Sequence, residues 1–120
     1  MIIPAASRTP EVAFSEQTCS IVGECYPEDI SEFSTPIMER LEADVAAADF
    51  YRVDVELYYF NSSSAKFLFD LFEFLDHCAA DNKQISVIWR YRGDDDTMQD
   101  AGDEFSEDME NLVFKLEQID

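Results

Sequence analysis

Two stretches of this chain, Phe50 to Phe60 and Ile85 to Arg92, alternate apolar and charged side chains with a period of two. An amphipathic helical stretch separates them, and this arrangement constrains the fold more than anything else in the sequence. In the first, Val53, Val55, Leu57 and Tyr59 point one way, and Arg52, Asp54, Glu56, Tyr58 and Phe60 the other. In the second, Ile85, Val87, Trp89 and Tyr91 oppose Ser86, Ile88, Arg90 and Arg92. Two strands joined by a helix run parallel through a right-handed crossover, and their charged reverse faces imply that helices cover one side of the sheet.

The helix between them is read from about Ser63 to Asn82. At about 100° per residue, Ala65, Leu68, Leu71, Phe72, Leu75 and Ala79 form its apolar stripe, with Lys66, Asp70, Glu73 and His77 opposite. Phe67, Phe69 and Phe74 fall on its shoulders, as peripheral core or as a ridge for a partner. Further strands are expected at Glu11 to Phe14, Thr18 to Glu24 and Leu112 to Leu116. Thr35 and Pro36 read as the start of a helix running to about residue 48; one helical turn before Pro36 is the alternative, at the cost of a hydrogen bond and a kink if the helix is continuous. Met98, Ala101, Phe105 and Met109 mark one face of a short acidic helix. The expected fold is a single α/β domain over residues 11–120, with a mixed β-sheet of about five strands and helices mainly on one face. Residues 1–10, with two prolines and no periodicity, are expected as a loosely ordered arm.

Composition narrows the function. With 27 acidic against 8 basic residues the formal net charge is -19, a field that repels nucleic acid and anionic lipid. No stretch approaches the roughly 20 apolar residues that cross a bilayer, and Met1 to Pro10 lacks the hydrophobic region of a signal peptide. A cytoplasmic location without membrane contact is therefore expected. Cys19, Cys25 and Cys78 have no metal-type spacing and suit a reducing compartment. His77 and Cys78 are adjacent on a helix and diverge by about 100°, so they do not form a nucleophile and base. Asp94, Asp95 and Asp96 lack the alternating ligands of an EF-hand loop, and three glycines in the whole chain leave no Gly-rich phosphate loop. Neither an enzyme nor a cofactor is expected.

One stretch does carry a handle. The apolar run ends at Asn61, and Ser62, Ser63 and Ser64 follow where the central helix begins. First-turn N–H groups lack partners and the helix dipole is positive there. A serine at this place suits capping, the commoner role, and an added phosphate would also be well received. Position alone leaves both roles open.

Several stretches together resemble the SiaC family of regulatory phosphoproteins, whose fold is similar to the STAS domains of anti-sigma-factor antagonists. They are Arg8-Thr9-Pro10, Gly23-Glu24-Cys25-Tyr26-Pro27-Glu28, Tyr59-Phe60-Asn61-Ser62-Ser63-Ser64-Ala65-Lys66, and Trp89-Arg90-Tyr91 followed by the acidic run and Ala101-Gly102-Asp103-Glu104-Phe105. The resemblance implies a STAS-like fold and a non-enzymatic switch; separately, the free chain is expected to be a monomer. It implies phosphorylation by a dedicated protein kinase on the hydroxyl residue after the asparagine, removal of the phosphate by a PP2C-like phosphatase, and activation of a diguanylate cyclase in biofilm formation by the unmodified form. The corresponding phosphoacceptor is Ser62, with Asn61, Ser63, Ser64 and Lys66 shaping the surface around it. The alternative is a constitutive acidic adaptor that grips its partner through the Phe67 and Phe74 shoulder or the acidic helix, its serines only capping.

Overall fold

Period-two alternation becomes a six-stranded sheet whose strands lie side by side in chain order, and the computed structural model describes all residues 1–120. The elements are β1 (Ile2–Ile3), β2 (Glu11–Phe14), β3 (Thr18–Cys25), α1 (Ile30–Ala46), β4 (Phe50–Phe60), α2 (Ser62–Ala79), β5 (Gln84–Arg92), α3 (Asp96–Glu107) and β6 (Val113–Ile119). β1, β2 and β3 pair antiparallel, whereas β3 to β6 pair parallel. Three successive crossovers each step one strand in the same direction. Their common right-handedness puts α1, α2 and α3 over the same face, as the alternation predicts.

That face holds the core. Val53, Val55, Leu57, Ile85, Val87 and Trp89 meet Ile37, Leu41 and Val45 of α1 and Leu68, Leu71, Phe72 and Leu75 of α2, all buried. Each contributes about 2 kcal/mol by leaving water. Trp89 sits in an aromatic cluster with Phe72, Phe105, Phe114 and Phe60, at ring separations of 6.2, 5.5, 6.4 and 6.2 Å. The opposite face carries Arg52, Asp54, Glu56, Arg90, Lys115 and Glu117. There Arg90 reaches Glu117 at 2.8 Å and Asp54 at 3.6 Å, linking three parallel strands.

Three sequence expectations change. Within residues 1–10, one short segment is paired into the sheet. Ile2 and Ile3 align with Ala13 and Val12, and the Arg8 carbonyl accepts the Tyr26 N–H at 2.8 Å. This supplies the sixth strand, too short to show any periodicity.

The second change is in α1, which starts at Ile30 with Asp29 as its cap, accepting from the Glu32 N–H at 3.2 Å, and runs through Pro36. The turn before the proline is held because Phe33 packs edge-on against Phe67 of α2, 6.1 Å between ring centres.

The third concerns β4, whose alternation breaks near its end. Gly23 pairs with Leu57 but Glu24 with Tyr59, so Tyr58 is skipped. Gly23 has φ +134°, a conformation that side chains other than hydrogen rarely adopt, and it permits this bulge. Beyond it the faces exchange. Tyr59 is half exposed, while Phe60 turns toward Trp89.

Candidate functional site

Parallel strands that each lead into a helix put three strand ends and three helix starts on one rim of the sheet. In such folds ligands and partners meet the chain at the carboxyl ends of the strands. Here the rim is formed by Cys25 and Tyr26 at the end of β3, Asn61 and Ser62 after β4, and Arg92 at the end of β5.

Asn61 organises the centre of the rim. Its N–H donates to the Cys25 carbonyl at 3.3 Å, its carbonyl accepts from Ala65 at 2.9 Å, and its side-chain oxygen accepts the Ser64 N–H at 3.0 Å. The cap of α2 is therefore Asn61, and the serines occupy the first helical turn, a correction to the reading of them as capping residues. Ser62 and Ser63 are exposed, and their N–H groups have no acceptor.

Ser64, expected in the surface around Ser62, is wholly buried. It stands three and four residues before Phe67 and Leu68 and so continues the buried stripe of α2 toward its start. Its hydroxyl makes no hydrogen bond of good geometry and lies against the Cys25 thiol. Burial raises the Cys25 pKa, and the Ser64 hydroxyl partly offsets this. Lys66 is exposed, one turn beyond Ser62, and its Nζ pairs with Asp70 at 3.1 Å. Ser63, Lys66 and Phe67 form one wall of a groove whose other wall is Ile30, Ser34 and Met38 of α1.

The sequence reading missed the aromatic part of the rim. The bulge delivers Tyr59 to the surface, where Tyr26 meets it edge-on at 5.5 Å. The Arg92 guanidinium lies 4.3 Å from the centre of the Tyr58 ring, and the Tyr58 hydroxyl donates to Glu56. That hydrogen bond, with burial and the Glu56 charge, raises the Tyr58 pKa. The only available signal was the Gly23 position opposite β4, which a reading along one strand does not use.

Phe67 belongs to the core at 6% exposure, and the partly buried Phe74 packs against that core. Burial, with Asp44 and Asp54 nearby, pushes the Cys19 thiol up to about 12. Burial likewise raises Cys78, which is the wrong direction for a nucleophile. Asp95 caps α3 by accepting the Met98 N–H at 3.1 Å. No helix is long and apolar enough to cross a membrane.

Fold and rim together define a class: a small α/β domain with helices on one face, presenting hydroxyl and aromatic side chains where its parallel strands end. The family model of the SiaC family regulatory phosphoproteins matches residues 3–119, and the chain belongs to that family. It is 27% identical over 109 residues to an uncharacterised protein of Pseudomonas aeruginosa strain UCBPP-PA14, covering 88% of this chain and 86% of that one. Among solved structures, its fold is similar to that in the crystal structure of diguanylate cyclase SiaD in complex with its activator SiaC from Pseudomonas aeruginosa. The TM-score is 0.93 and the identity 24%, over 99% of each chain. For apo-SiaC from the same organism the TM-score is 0.88 and the identity 25%, over 98% of this chain and 97% of that one.

Proposed function

We propose that this chain is a reversible phosphorylation switch, with Ser62 as acceptor, whose unmodified form binds and activates a diguanylate cyclase. The observation that carries this reading is the environment of Ser62: an exposed hydroxyl at the first position of α2, directly after the capping Asn61, beside two N–H groups without acceptors. A phosphate there brings about -1.5 to -2 of charge to a site whose backbone donors and dipole favour it, so the fold accepts it. A partner seated on the rim meets a different shape and field, and releases. A protein kinase adds the phosphate and a PP2C-like phosphatase removes it. The complex described for SiaC and SiaD of Pseudomonas aeruginosa supports a cyclase as the partner.

The test compares Ser62→Ala and Ser62→Asp for binding to the cyclase encoded in the same genome, by calorimetry. The alanine variant is expected to bind as the unmodified protein does and the aspartate variant at least tenfold more weakly, a loss of about 1.4 kcal/mol. Equal affinities would remove the switch from this position. Intact mass after co-expression with the kinase is expected to show one added phosphate, lost in Ser62→Ala.

A further inference from the structure

Ser62, Lys66 and Asp70 stand at successive i, i+4 positions along α2, so they follow one another along the helix surface. Lys66 is the sole lysine or arginine on this helix, and its Nζ lies 3.1 and 3.4 Å from the two carboxylate oxygens of Asp70. Both side chains of that pair are open to solvent, at 77% and 53%, so the pair is weakly held and easily exchanged. Asp70 is the one other charged residue lining the groove between α1 and α2. The α1 wall offers Ile30, Ser31, Ser34 and Met38, which carry no charge.

We propose that Lys66 is the counter-ion of phosphorylated Ser62 and that modification draws it away from Asp70. The proposal rests on Ser62 being the acceptor and adds what the phosphate does to its surroundings. Lys66 lies between two anions at equal sequence spacing. Asp70 carries one negative charge, whereas a phosphoserine dianion carries up to two and has the favourable orientation, with the anion N-terminal to the cation. The lysine therefore favours Ser62 once it is modified. Its departure leaves Asp70 without a cation on the groove wall. One modification thus acts at two places: a bulky anion on the rim, and an uncovered carboxylate on the groove wall two turns along.

The test is a phosphorus NMR titration of the full chain with phosphoserine genetically encoded at position 62, which needs no kinase. In the otherwise unaltered protein the second phosphate pKa is expected below the usual value near 6. Lys66→Gln is expected to raise it by about 0.2 to 0.4 units, the worth of one i, i+4 ion pair, and Lys66→Arg to restore it. Asp70→Asn, by removing the competitor, is expected to lower it further. An unmoved titration in Lys66→Gln, or a rise in Asp70→Asn, would overturn the proposal. Absence of phosphate after co-expression with the kinase instead counts against Ser62 as the physiological acceptor and leaves this titration to decide the lysine's role by itself.

Discussion

Gly102 of α3 lies so close to Trp89 of β5 that an added Cβ would stand 2.5 Å from the indole Cδ1 and 2.8 Å from Nε1. One turn earlier the same indole N–H donates to the Met98 carbonyl at 2.9 Å. The acidic α3, whose buried residues are only Met98 and Gly102, is thus keyed onto the sheet by one tryptophan. Trp89 is enclosed by four phenylalanines and has little room to yield. Gly102→Ala is expected to destabilise the protein by about 1–3 kcal/mol, the usual cost of overpacking. The check is a lower urea midpoint with an unchanged slope.

The parallel crossover and the one-sided helix layer were legible because β4 and β5 each carry their own two-faced pattern, a local property. What was not legible depended on distant residues. The exchange of Tyr59 and Phe60 depends on Gly23 across the strand pair. The early start of α1 depends on Phe33 meeting Phe67, against a Thr35-Pro36 start signal that is sound as local chemistry. At the site, the hydroxyl at a helix start was readable, but its offset by one residue was not, since asparagine and serine cap about equally well. The burial of Ser64 could have been seen by carrying the Phe67, Leu71 and Leu75 stripe one turn back.

Because the cap is Asn61, the two neighbours respond differently to truncation. Asn61→Ala removes the acceptor of the Ser64 N–H and is expected to cost about 1 kcal/mol. Ser62→Ala removes an exposed hydroxyl that caps nothing and is expected to change stability by less than about 0.5 kcal/mol. Thermal unfolding of both variants separates them. A comparable loss in each would return the capping role to the serine.

Asp76 ties the end of α2 to the start of β6. Its Oδ1 accepts the N–H groups of Glu110, Asn111 and Leu112 at 3.1, 2.7 and 2.8 Å. Burial works against the charged form, but the three donors outweigh it and hold the carboxyl below its usual range. The unfolded chain therefore takes up this proton at a higher pH than the folded one. The stabilisation is complete above the unfolded value near 4 and is lost as pH falls through the folded value. Asp76→Asn is expected to be less stable at pH 7 by about 1 kcal/mol and to converge on the unaltered protein in acid. Urea unfolding at several pH values measures the gap between the two. That gap cancels the relief of general charge repulsion, which acidification gives to both.

Pro36 lies well inside α1 and is exposed to solvent. It has no N–H to donate to the Glu32 carbonyl, and its ring crowds the preceding turn, an arrangement that costs about 3 kcal/mol in a helix interior. Proline also stiffens the unfolded chain, which returns up to about 1 kcal/mol. The helical cost exceeds this return, so Pro36→Ala is expected to stabilise the protein by about 1–2 kcal/mol and raise the melting temperature by several degrees. Phe33→Ala, which removes the contact holding the turn before the proline, is expected to lower it. A fall in Pro36→Ala would mean that the ring is held by the residues around it, Ile3, Pro27 and Phe33 among them, more firmly than its exposure indicates. The two variants together show whether tertiary packing, against local preference, sets where α1 begins.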